Sequence, residues 1–239
     1  MMKKLVLLVL MLSGCGKHHL VWTTDEDPKP QVSKAPDLKE SLGGVEVSFD
    51  DGVSLAYTPK VLSILAQYHL QAHFFIEGLT LMGDSEQTKE RRELLKKQYA
   101  AGHIICGHSI DHKIMTNMSA TKAAWEIDET NKLIKDAIGI TPACFRMPYG
   151  RHNKITDKLL KDRKMERWDW SIDLQEWQRD PKTHQPKTAD QVFEEFKRQY
   201  ETLKERGQTK MILLIHDTKK ITPEVLPRIL AYLAATEKQ

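Results

Sequence analysis

Apolar and polar residues follow two alternating periods along most of the chain. The run GVEVSF (44–49) alternates with period two and is read as a strand. The next segment, YTPKVLSILAQYHL (57–70), repeats apolar residues at helical spacing, with Pro59 near its start. The same pairing recurs. QAHFFIEG (71–78) is strand-like, and SEQTKERRELLKKQYAAG (85–102) is a charged helix closed by Gly102. HIICGH (103–108) precedes a helix over 119–139, with Ser119 as N-cap and Gly139 beyond its end. ACFRMPYG (143–150) is a fourth strand running into a turn, followed by a short helix over 155–164. MERWDWSID (165–173) is a fifth strand, 188–207 a helix, KMILLIHD (210–217) an apolar strand and 222–236 a last helix. Strand and helix in alternation predict parallel strands with helices packed outside, and catalytic groups at the C-terminal ends of the strands.

Composition adds limits. The chain has 239 residues, 40% hydrophobic and 29% charged, enough for one sizeable core. A net charge of +3 with both signs interspersed does not suggest a nucleic-acid partner. The opening MMKKLVLLVLMLSGCG has two lysines, a short apolar run and small residues, and reads as a secretory signal rather than a spanning helix. Its LSGC ending resembles a bacterial lipobox. That resemblance implies a signal peptide over 1–14, cleavage before Cys15 and lipid on its sulfur; the alternative is an ordinary signal with an unrelated cysteine. Residues 15–40 contain three prolines and no sustained period, and read as a tether. His18 and His19 are assigned to it as solvated side chains. The domain then occupies 41–239, exported and held at the cell envelope, on the outer membrane or in the periplasm of a diderm cell.

The predicted strand ends carry the polar residues. Asp50 and Asp51 end the first strand, His108 the third, Arg146 the fourth and Asp173 the fifth; His216 and Asp217 end the strand at 210–217. Two adjacent carboxylates repel each other unless a cation lies beside them. His108 and His112, with three residues between them, can meet on one divalent ion, and one aspartate completes a two-His, one-Asp site with open positions. The bland alternatives are loop histidines, a helix-capping Asp51, a surface ion pair for Arg146 and a core histidine for His216. Asp217 is read as bracing the following turn, His73 and His103 as structural, and His69 as exposed.

At this point SFDDG (48–52), HSIDH (108–112), RMPYG (146–150), WSIDLQEW (170–177) and LLIHD (213–217) occur in the order used by polysaccharide deacetylases. This is the nodulation-factor-deacetylase homology group, carbohydrate esterase family four. The resemblance implies a single α/β domain, a distorted (β/α) barrel with seven or eight mostly parallel strands. It implies one divalent metal on Asp51, His108 and His112; zinc suits that donor set, with cobalt, nickel or manganese as alternatives. It implies Asp50 as general base, Arg146 as its pairing partner, the Tyr149 N–H as oxyanion donor, His216 as general acid and Asp173 as the group that holds His216. Tyr149, Trp170 and Trp177 are placed at the substrate, although for Trp170 and Trp177 a core position is the open alternative. Three departures bear on the subsites: Met147 stands where the family usually has proline, Lys113 follows the second histidine, and Glu176 takes an acidic place before Trp177.

Cys106 and Cys144 each stand two residues before a site residue, which puts both just beneath the site. They are read as two buried free thiols, with a disulfide as the alternative that strand spacing also permits. The implied function is N-deacetylation of N-acetylglucosamine in an envelope glycan, peptidoglycan first. The alternatives are an O-acetyl esterase on xylan or another acetylated polysaccharide, and an inactive glycan-binding module. The implied partners are the glycan polymer and, through the anchor, the membrane.

Overall fold

The structure, a computed structural model, describes residues 39–237. The expected signal, Cys15 and nearly all of the tether lie outside the described residues.

Seven strands form one parallel sheet in the order β5-β4-β3-β2-β1-β7-β6. They are β1 (Val45–Gly52), β2 (Ala72–Ile76), β3 (Ile104–Gly107), β4 (Cys144–Phe145), β5 (Glu166–Arg167), β6 (Ile172–Asp173) and β7 (Met211–His216). The sheet curls into a half-barrel with helices outside, the distorted α/β barrel expected. The helices are α1 (Thr58–Gln67), α2 (Glu86–Ala100), α3 (Ala120–Ile138), α4 (Lys154–Asp162), α5 (Ala189–Glu205) and α6 (Thr222–Thr236). None of the described helices is long and apolar enough to cross a membrane. Lys39 already bridges Leu70 in parallel, two residues before the expected domain boundary.

Capping follows the sequence signals. Ser119 accepts from the Lys122 N–H at the start of α3, and Gly139 ends it in the left-handed region at φ 81°. Strand β1 is central, paired with β2 and β7, so nearly all its side chains are buried. The main core packs Val47, Phe49, Phe74 and Ile215 against Leu65, Phe196 and Leu230 of the helices.

The run 165–173 is not one strand. Its ends are β5 and β6, at opposite edges of the sheet; the Trp168 N–H still donates to Phe145 O at 2.9 Å and the Ser171 N–H to Ile212 O at 3.0 Å, and 169–170 span the open side between them. The crossing carbonyls take their hydrogen bonds from a side chain: Arg146 donates from Nε to Trp168 O and from Nη2 to Asp169 O, each at 3.3 Å. Arg146 is fully buried, its guanidinium 4.0 Å above the Phe75 ring. A buried cation therefore stands in for part of the missing ladder.

Beneath it, Cys106 and Cys144 form a disulfide, with Cα atoms 4.9 Å apart. This corrects the free-thiol reading. Strands β3 and β4 share a single register pair, Gly107 with Phe145, so the covalent link holds two strands that the ladder barely joins.

Candidate metal centre and active site

Successive strand residues point to opposite faces, so Asp50 and Asp51 should diverge. They do not. The pairing of β1 with β2 shifts register between Asp50 and Gly52, and Asp51 lies at φ 67°. This irregularity brings both carboxylates into one cavity of ≈ 310 Å³ at the C-terminal end of the sheet. His108, His112, Asp173 and His216 line the same cavity, as do Tyr149, Trp170 and Trp177. Arg146 lies behind the wall, under Asp50.

The geometry around Asp51 fits a cation. Its Oδ1 is 3.7 Å from Nε2 of both His108 and His112. One ligand atom from each of the three residues lies within 4.8 Å of the others. Asp51 Oδ1 is buried and has no hydrogen-bond partner, an unsatisfied acceptor that an ion would satisfy. His108 Nδ1 hydrogen-bonds the Arg146 carbonyl at 2.8 Å, which leaves Nε2 as the free donor atom for a metal. Burial first, then the neighbouring His108, hold His112 below the usual imidazole range, toward the neutral form that ligates. Glu77 nearby is pushed up to about 7 by burial and by the charges of Asp51 and Asp111, which marks an excess of negative charge around the site. The residues present therefore fit a divalent cation.

Several site residues occupy costly backbone conformations: Asp51, Ser109, His112 (φ 52°) and Tyr149 (φ 59°) all have positive φ. Such conformations cost on the order of 1–3 kcal/mol each and cluster where function needs a particular direction. The loop carrying His112 is pinned by Glu126 of α3. Its fully buried carboxylate accepts from the Ile110 N–H at 2.8 Å through Oε2, and its Oε1 lies 2.8 Å from Lys122 Nζ as an ion pair. Sequence reasoning missed Glu126; its only signal was an acid on the apolar stripe of α3, between Ala123 and Ile127.

Two charged pairs flank the cation site. Arg146 Nη1 donates to Asp50 Oδ1 at 2.6 Å, while Asp50 Oδ2 lies 3.5 Å from His108 Nε2. On the other side His216 Nε2 is 3.9 Å from Asp51 Oδ2. The group that holds His216 is Glu176, not Asp173. Glu176 Oε1 accepts from His216 Nδ1 at 2.7 Å and from the His216 N–H at 2.8 Å. Asp173 instead accepts the Gln175 N–H, closing a local turn, while its backbone pairs with Gln199. Gln175 takes φ 50°, and this turn carries Glu176 inward to a buried position. Burial disfavours a charged His216, but the hydrogen bond and charge of Glu176, then Asp50 and Asp51, outweigh it and raise the imidazole to about 9.

The Tyr149 N–H makes no hydrogen bond among the described residues, and the ring, 59% exposed, packs on His112 with centroids 4.6 Å apart. Trp177 is 52% exposed, which removes the core alternative for it. Trp170 is half-buried and seated on Gly150, where a Cβ would come within 2.8 Å of its ring. Asp217 is fully buried, accepts from the Thr58 hydroxyl and packs against Gly52; it braces the turn. His73 and His103 are buried in the core, and His69 is exposed.

A curled parallel half-barrel with a His/His/Asp cation site between two charged pairs defines a hydrolase-like centre of the (β/α) class. A sequence profile described as polysaccharide deacetylase matches residues 39–168, more than half of the chain, and the chain belongs to that family. It is 30% identical to the peptidoglycan-N-acetylglucosamine deacetylase PgdA of Listeria monocytogenes over 148 residues, 62% of this chain and 29% of that protein. It is 26% identical to the peptidoglycan-N-acetylmuramic acid deacetylase PdaC of Bacillus subtilis over 213 residues, 87% of this chain and 40% of that one. The chain thus spans less than half the length of either relative. Among solved structures, a family 4 carbohydrate esterase from Streptomyces lividans, in complex with acetate, is similar with TM-score 0.65 and 27% identity, covering 82% of this chain and 90% of that one. A family pseudoenzyme from Bacillus anthracis, BA3943, is similar with TM-score 0.65 and 21% identity, covering 82% of this chain and 62% of that one. The fold alone therefore carries no activity; the residues of the site have to.

Proposed function

We propose that this protein hydrolyses the N-acetyl groups of N-acetylglucosamine in a cell-envelope glycan, peptidoglycan in the first place. The observation that carries the reading is the unpartnered Asp51 Oδ1 placed 3.7 Å from two imidazole Nε2 atoms, between an Asp50–Arg146 pair and a His216–Glu176 pair. A divalent ion on Asp51, His108 and His112, with zinc as the proposed metal, supplies Lewis acidity toward water and the acetyl carbonyl. Asp50 takes the proton of the attacking water, and Arg146 fixes its free oxygen toward the cavity. The Tyr149 N–H donates to the oxygen of the carbonyl as negative charge builds there. His216 delivers a proton to the nitrogen as the C–N bond breaks, releasing acetate and a free amine. Exposed Tyr149 and Trp177 offer flat faces to sugar rings.

The proposal includes an exported protein, anchored through lipid on Cys15 after removal of residues 1–14, with 15–40 as tether. Anchoring would keep the site beside wall polymers. The test is acetate release from purified peptidoglycan by zinc-loaded protein, against a chelated control and Asp50→Ala. Activity lost in both controls is expected; release that survives chelation would overturn the reading. The likeness to a carbohydrate esterase makes acetylated xylan the necessary second substrate, since the same groups would cleave an ester; faster release from xylan would move the assignment to O-deacetylation.

A further inference from the structure

The catalytic cavity has a neighbour. A second cleft of ≈ 410 Å³ shares one wall residue with it, Asp51, and runs outward between the loop after β1 and helix α2. Its polar wall is made by Ser54, Thr80, Gln87, Arg91 and Thr218. Gln87 and Arg91 are four residues apart on α2, so they share one face.

Arg91 is the unusual member. Its chain neighbour Arg92 is fully used: it donates to Leu81 O and Gly83 O and pairs with Asp84, pinning the preceding loop. Arg91 has no hydrogen-bond acceptor and no ion-pair partner among the described residues, yet it is half-buried in the cleft wall. The other charged wall residue, Asp51, turns Oδ1 toward His108 and His112 and is committed there. A second unmet group lies in the same wall: Thr218 Oγ1 is buried with no hydrogen-bond partner. Thr218 follows His216 and Asp217 directly, so the cleft and the catalytic cavity are built on one loop.

We infer that this cleft is a subsite for a carboxylate carried by the glycan near the reacting acetamide, held by the forked guanidinium of Arg91. One guanidinium matches one carboxylate in charge and in two-pronged geometry. A dianion such as a phosphate monoester would lack a second cation in the wall. The shared residue Asp51 puts the subsite next to the reacting group, within the reach of the same or the adjoining sugar. The inference rests on the glycan-deacetylase reading and gives that substrate a class: a glycan with a free carboxylate, either muramic acid whose lactyl group carries no peptide or a uronic acid, in preference to a neutral polymer.

Calorimetry with the full chain, kept in chelator so that no turnover occurs, tests it. The probes are the disaccharide of N-acetylglucosamine and N-acetylmuramic acid with a free lactyl carboxylate, its methyl ester, and a glucuronate–N-acetylglucosamine oligomer of similar size. The acid should bind about tenfold tighter than its ester, the order expected of one charge-assisted hydrogen-bonded pair. Arg91→Gln should reduce that ratio to about one, and Arg91→Lys, which keeps the charge without the fork, should restore part of it. The uronate arm separates the two sources: tighter binding than the lactyl acid assigns the subsite to uronic acids. Equal binding of acid and ester by the natural protein, or a ratio untouched by Arg91→Gln in a variant of unchanged melting temperature, overturns the subsite. If the acid–ester ratio holds while zinc-loaded protein releases no acetate from any glycan, the deacetylase reading fails and the subsite stands.

Discussion

The contact between Glu176 and His216 allows a sharp test, because a single carboxylate oxygen accepts both the ring Nδ1–H and the backbone N–H of the same residue. Glu176→Gln keeps an acceptor of nearly the same shape and removes the charge. His216 stands at about 9 against an ordinary 6.5, and Glu176 is the chief cause opposing burial. That elevation corresponds to roughly 3 kcal/mol in favour of the imidazolium, at about 1.4 kcal/mol per pH unit. With the charge gone, burial works against only Asp50 and Asp51. The His216 resonance in metal-free protein should therefore titrate more than about one unit lower, by NMR of labelled histidine. In the zinc-loaded enzyme the basic limb of the kcat profile should move the same way, with about a twofold loss at pH 8 for a drop of about one unit and about tenfold for about two. Asp173→Asn is the control, since Asp173 is tied to its own turn and has no contact with His216 Nδ1. If Asp173→Asn lowers the His216 titration more than Glu176→Gln does, the assignment of the holding group is wrong.

Three other outcomes follow from contacts away from the acid. Reducing the Cys106–Cys144 link, which closes 38 residues, should cost about 4 kcal/mol in denaturant unfolding on the chain-entropy account; a difference below about 1 kcal/mol would show that the bridge does not constrain the unfolded chain. Glu126→Ala leaves the buried Ile110 N–H without its acceptor, so it should destabilise by about 1–3 kcal/mol and weaken zinc binding by at least tenfold as the His112 loop loosens, read with a competing chelator. His73 and His103 are held down to about 4, both chiefly by burial, with Arg146 adding to His73. Their stabilising effect is therefore complete above pH 6.5, where the unfolded chain is also neutral, and is lost as pH falls from 6.5 toward 4. The loss should be about 2 kcal/mol apiece between pH 7.5 and pH 5, and a resonance of either one titrating near 6.5 in the folded protein would contradict it.

Much of this molecule was written in local pattern. Alternating strand and helix periods, the Ser119 cap and the Gly139 stop are properties of short segments, and they appear where the periodicity put them. The polar residues at strand ends were legible for the same reason: in a parallel barrel the C-terminal ends of all strands share one rim, so sequence position implies place. Three features were not legible, because each depends on how distant segments meet. The run 165–173 has a uniform strand-like pattern, but the curl of the sheet splits it between two edges with 169–170 outside the ladder, and Arg146, just after β4, takes the Trp168 and Asp169 carbonyls. Which acid faces His216 turns on the backbone at Gln175; Asp173 and Glu176 are equivalent in a motif and separate only once that turn is folded. The bonding of Cys106 to Cys144 depends on a 4.9 Å approach of two strands, a distance that no count of residues contains. Residue types and spacing told which groups could do chemistry; the curl of the sheet and a few left-handed residues decided which of them touch.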